Sequence, residues 1–242
     1  MDAHHRKNPP TSYDGPLCWI PHKVDNSCAG QAWNTADKWG PFKGHMVHCS
    51  YGKCTLFLVM QETIGSVDQA GVFQFPIKFQ SGGMRARFNP HGRQLYVSGL
   101  KGWQTSGAKD GCLQRVRFTG EEVSMPRSLN IHANGNRVGF TRQLDEELAE
   151  DLDSWQIEQW NYQWTSKYGS KEYKVSEPST PGHDKVEIRS ARLLPGGQEV
   201  FLEIPSLAPV MQMKIDFDLE TTSGDEMIGT LHNTIHTLGP PL

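Results

Sequence analysis

The sequence predicts an all-β chain, with a partial β-propeller of about two blades followed by an immunoglobulin-like β-sandwich. Three observations predict it. From Leu17 to Gly120, short apolar runs recur between Gly, Asn and Pro, the texture of meandering antiparallel strands. In "VMQMKIDFDL", Met211, Met213, Ile215, Phe217 and Leu219 alternate with Gln212, Lys214, Asp216 and Asp218, the period of a half-buried strand. The 242 residues also include 24 Gly and 15 Pro, which supply the turns that many short strands require.

The elements follow in order. Residues 1–16, beginning "MDAHHRKNPP", form a polar tail. Residues 17–122 carry the blade-like strands. Here "HMVHC" and "CTLFLVM" flank "SYGK" as a hairpin, and "GVFQFPIKF" is a further strand in which Pro76 marks an edge or bulge. "GMRARF" and "RQLYVSG" flank "NPHG", where Pro90 presets φ and Gly92 takes φ > 0, and "CLQRVRFTG" closes the set. A small sandwich would show similar strands. The boundary falls in "EEVSMPRSLN", and residues 123–242 form the second domain. They hold the strand "RVGFTRQL" and a helical turn "DEELAEDLDSW" capped by Asp145. The strand "WQIEQWNYQW", the hairpin "DKVEIRSARLL"–PGG–"QEVFLEI", the Met211–Leu219 strand and a final strand "TLHNTIHTL" complete it. Strands in that number fit a sandwich of about seven. Two blades leave ring contacts unburied, so the chain reads as a piece of a longer protein or as one that pairs with another chain.

Bulk properties exclude some classes. A net charge of −3 gives no concentrated basic face for nucleic acid. No apolar run approaches the roughly 20 residues of a membrane span. The first residues lack the apolar middle of a secretory signal. No Gly-x-Ser-x-Gly, phosphate-loop or dinucleotide motif is present.

Several residues stand out for their chemistry. Arg85 and Arg87 alternate on one strand, so two guanidiniums on one face offer bidentate contacts to the carboxylate of a cofactor or substrate. Lys78 is a companion on the preceding strand, and Trp103 stands in the loop "LKGWQT", at the sheet end or facing a propeller mouth. Cys49 and Cys54 bracket a hairpin turn and come within disulfide reach, or else pack as small apolar side chains. With His45 and His48 they form H-x-x-H-C-x4-C, but the two histidines fall on opposite strand faces, so no metal is assigned. Trp160, Tyr162 and Trp164 share one face at strand spacing, ready to stack on a sugar or to build the core. The acidic residues from Asp145 to Asp153 read as a solvated helix face, and His232 and His236 as structural.

The phrases "WGPFKGHMVHCSYGK", "RARFNPHGRQLYVSGLKGWQT" and "GCLQRVRFTGE", with "GFTRQLDEELAEDLDSWQIEQWNYQWTSKYGSKEY", "LEIPSLAPVMQMKIDFDL" and "TIHTLG", resemble the C-terminal part of planctomycete-type secreted propeller proteins. Those proteins resemble the glucose/sorbosone dehydrogenases that use pyrroloquinoline quinone. The resemblance implies a periplasmic or extracellular, sugar-related protein. It implies the remaining blades as partner, and pyrroloquinoline quinone, calcium and c-type haem in the longer parent. None of these cofactors is assigned to this chain, which has no Cys-x-x-Cys-His. The chain is therefore expected to be a non-catalytic C-terminal portion of such a protein. The alternative is an autonomous β module that binds carbohydrate or protein.

Overall fold

The computed structural model describes residues 12–35, 37–89 and 94–242. The expected turn at Pro90 and Gly92 lies outside the described residues. The chain is all-β, built of three open antiparallel sheets.

The largest sheet has eight strands. It begins with a meander of β1 (Cys28–Trp33), β2 (Met46–Ser50), β3 (Thr55–Ile64) and β4 (Val67–Gln74). A second meander, β5 (Gly82–Phe88), β6 (Gln94–Leu100) and β7 (Gly111–Arg117), forms a three-stranded sheet of its own. Next come β8 (Pro126–His132) and β9 (Gly135–Phe140), the short helix α1 (Glu146–Glu150), β10 (Trp155–Trp160) and β11 (Asp184–Val186). The chain finishes with β12 (Ser190–Leu193), β13 (Glu199–Glu203), β14 (Val210–Glu220) and β15 (Glu226–Ile235). In space the large sheet runs β1-β2-β3-β4-β15-β14-β10-β11, and β12-β13-β9-β8 form the third sheet. Residues on both sides of position 122 thus share one sheet, because β4 pairs with β15 through Phe73–Leu231 and Val72–His232.

The core lies between the large sheet and the two smaller ones. Leu56, Leu58 and Met60 of β3 meet Ala86, Leu95 and Val97 of the second meander, and Leu129, Ile131 and Val138 of the third sheet. The opposite face of β3 is also covered. Phe57 and Val59, with Ala70 and Val72 of β4, pack under Leu17, Cys18, Ile20 and Val24. That explains why "TLFLVM" is apolar without alternation: both faces of that half-strand are buried. An aromatic group of Trp39, Phe42, Phe75 and Phe88, with ring centroids 5.2–6.1 Å apart, wedges the second meander onto the first.

Several local expectations meet the structure directly. The turn 51–54 joins β2 to β3, and Asp145 caps α1 by accepting a hydrogen bond from the Leu148 amide at 3.1 Å. Met213, Ile215, Phe217 and Leu219 are buried along β14. A register shift between Val210 and Met213 buries Gln212 and leaves Met211 only half-buried. Other expectations are corrected. Pro76 lies beyond β4, which ends at Gln74. "DKVEIRSARLL" is two strands: β11 joins the edge of the large sheet, and β12 crosses to the third. Cys49 and Cys54 are free thiols. Cys49 stands opposite Leu56, while Cys54, at φ 56, turns its sulfur to Thr105 at 3.3 Å and Ser106 at 3.5 Å.

Candidate functional site

Two surface constellations gather residues with binding chemistry. The first is an aromatic row. Trp164 and Tyr13 meet edge to face with centroids 5.7 Å apart, Tyr13 meets Trp19 at 5.9 Å, and Trp19 meets Tyr162 at 5.6 Å. Tyr13 and Trp164, at one end of the row, are 45% and 55% exposed. Hydrogen bonds hold the segments that carry these rings. The Trp19 amide donates to Thr234 Oγ1 at 2.7 Å, and that hydroxyl donates to the Met211 carbonyl at 2.8 Å. This lays the segment from Tyr13 to Ile20 across β14 and β15. The Tyr162 hydroxyl donates to Gln212 Oε1 at 3.2 Å, and burial pushes that hydroxyl's pKa up. Trp164 begins the excursion between β10 and β11, where the Gln163 amide donates to Ser170 Oγ at 2.8 Å and Gly169 turns at φ +76. Beside Tyr13 and Trp19 lies a cleft of about 260 Å³, also lined by Asn161 and His236.

Trp160 is not part of this row. It is 2% exposed and stacks on the His183 imidazole at 3.9 Å. The expected common face of Trp160, Tyr162 and Trp164 fails because β10 ends at Trp160, so period two stops there. Tyr13 and Trp19 are the partners that the sequence did not reveal. Their signal is the tight aromatic–Gly–Pro–aromatic spacing of "YDGPLCW", which shows neither where the segment lies nor which rings it meets.

The second constellation is an arginine face. On β5, Arg85 and Arg87 are both exposed with buried Ala86 between them. Register places Ser98 and Leu113 beside Arg85, and Tyr96 and Arg115 beside Arg87. One step further, Gln94 faces Arg117. Cross-strand partners share a face, so Arg85, Arg87, Arg115 and Arg117 project from the same side of the second meander. Among the described residues no carboxylate forms an ion pair with any of them. Arg85 and Arg87 each donate from Nη1 to the carbonyl of the preceding residue, at 2.7 Å. Arg115 and Arg117 were legible only as an alternation within "LQRVR". That they share a face with Arg85 and Arg87 depends on β6 lying between the two strands.

Lys78 and Trp103 are each tied to the turn 51–54. Lys78 is in the connector between β4 and β5, not on a strand, and donates to the Lys53 carbonyl at 2.7 Å and Ser106 Oγ at 2.6 Å. Trp103, 69% exposed, sits in the loop after β6. There the Gly102 amide donates to the Tyr51 hydroxyl at 2.7 Å, and that hydroxyl donates to the Trp103 carbonyl at 3.2 Å. Comparison with protein-family models, with curated proteins and with solved structures returned no match.

Proposed function

We propose that the chain is a non-catalytic β module that binds carbohydrate through the row Trp164–Tyr13–Trp19–Tyr162. We further propose that it is the C-terminal portion of a secreted, periplasmic or extracellular, quinoprotein-dehydrogenase-like protein. The observation that carries the binding reading is the row itself: contacting rings, exposed at one end, beside a cleft that adds Asn161 and His236. Aromatic faces are large, stiff and apolar, so they take up the C–H face of a pyranose with little loss of side-chain freedom. The parent reading rests on the sequence resemblance. In that reading the meanders β1–β4 and β5–β7 are two blades of a partial propeller and β8–β15 the immunoglobulin-like sandwich, with the first blade continued into the sandwich by the β4–β15 pairing. Pyrroloquinoline quinone, calcium and haem would then reside in the parent. The arginine face would be offered to the remaining blades or to a partner chain.

The test is titration of the purified chain with neutral oligosaccharides, followed by tryptophan fluorescence and calorimetry. Binding with quenching is expected, and Trp164→Ala is expected to weaken it about tenfold, or ~1.4 kcal/mol. Trp33→Ala, which removes another exposed indole, should leave it unchanged. Absence of glycan binding, or equal loss from both variants, overturns the reading.

A further inference from the structure

Where β1 and β2 begin the large sheet, three donors of different kinds converge. Asp25 closes a tight turn in which its own amide and that of Val24 donate to the Pro21 carbonyl, at 3.0 and 2.8 Å. Cys28 opens β1, and His48 lies on the neighbouring β2. One carboxylate oxygen, the Cys28 sulfur and one imidazole nitrogen lie within 4.8 Å of one another. The Asp25 side chain has no exposure and that of His48 has 6%, whereas Cys28 is exposed.

The buried members are already held from behind. Asp25 Oδ1 accepts from the Ser50 hydroxyl at 2.7 Å and the Ser27 amide at 3.1 Å. This leaves Oδ2 facing His48 Nε2 at 2.9 Å. On its far side, His48 Nδ1 meets the Gln31 side-chain amide at 3.0 Å. A metal-ligating histidine and carboxylate need orienting partners of this kind. Among the described residues the ion-pair partner of this fully buried carboxylate is His48, with no lysine or arginine beside it, and a buried carboxylate calls for a cation. Cys28 and His48 also line a cavity of about 340 Å³, together with Cys18 and Met46.

We propose that Asp25, Cys28 and His48 bind a divalent transition metal of the zinc class, with the fourth coordination position facing this cavity. The ligand types are those of zinc, and three protein ligands leave one position open. The metal replaces the proton shared by Asp25 Oδ2 and His48 Nε2. The Cys28 thiol releases its proton to solvent, and the imidazole proton moves to Nδ1, where the Gln31 amide, which offers Nε2 in the metal-free chain, turns over to accept it with its oxygen. Gln31 is thus a positioning residue.

The experiment is titration of the reduced, chelator-treated chain with Co²⁺. One equivalent is expected to bind with a thiolate-to-metal charge-transfer band, and Zn²⁺ is expected to displace it. Cys28→Ser should abolish the band while its melting temperature without metal matches the parent's. Cys18→Ser should keep the band. Gln31→Ala should keep the band but weaken binding by about tenfold or more. No charge-transfer band, a band that survives Cys28→Ser, or loss of the band in Cys18→Ser overturns the site.

Discussion

At the scale of single residues, His232 sets a pH dependence. It is 7% exposed on β15, and burial, followed by the nearby Lys214, lowers its pKa from 6.5 to about 4. The folded state keeps this imidazole neutral where the unfolded chain protonates it. Its contribution is therefore full above pH 6.5, is lost as pH falls towards about 4, and amounts to ~3 kcal/mol over that window. Urea unfolding at stepped pH is expected to show a shallower slope there in His232→Gln than in the parent, and equal slopes would refute the assignment. Sequence showed His232 and His236 as a structural pair without showing which is buried. His236 instead donates from Nε2 to the Pro16 carbonyl at 2.8 Å. The tryptophans were equally opaque. Trp39, Trp155 and Trp160 are core, whereas Trp33, Trp103 and Trp164 are surface, and hydrophobicity is the same for all of them. What separates Trp160 from Trp164 is where β10 stops.

At the scale of elements, the second meander is seated by a missing side chain. A Cβ at Gly82 would stand 2.4 Å from the Tyr51 ring and 2.5 Å from the Tyr51 carbonyl oxygen. Tyr51 also tethers the Trp103 loop, so the approach of β5 to the β2–β3 turn leaves no room for a methyl group. Gly82→Ala is expected to cost about 1–3 kcal/mol. Gly111→Ala on β7, where the nearest atom would be 3.6 Å away, should stay within about 0.5 kcal/mol of the parent. Thermal melts of the two variants compare them directly. Elements with strictly local causes were legible: the β2–β3 hairpin, the Asp145 cap and the alternation along β14. Those that depend on distant partners were not. "DKVEIRSARLL" divides because its first part pairs with β10 and its second with β13, which no local pattern announces. Arg85 and Arg87 were legible as a pair for the same local reason, and their neighbours Arg115 and Arg117 only through β6.

At the scale of the whole molecule, the sequence boundary near 122 is crossed by a continuous hydrogen-bonded sheet and by one core cluster that takes residues from both sides. Unfolding either half would expose the edge of β4 or β15 and the apolar faces beneath the smaller sheets. One cooperative transition is therefore expected in calorimetry, with the calorimetric and van't Hoff enthalpies equal. Two resolved transitions would show that the shared sheet does not couple the halves. The all-β class was legible from alternation and turn content, whereas the β4–β15 pairing was not, because antiparallel partners so far apart carry no mark of each other.

That pairing also has a consequence in time. When the chain is synthesised, β4 is made early and its partner Leu231–Asn233 segment last among the strands. The β1–β4 meander can form by local hairpin closures, but its outer strand must wait, with an open edge rich in Val72 and Phe73, until β15 arrives. Loop closure over such a separation is slow, and a waiting edge is the part of a nascent chain most exposed to mispairing. The joint that makes the finished molecule a single unit can thus close only after β15 has been made, and until then its open edge is exposed to error.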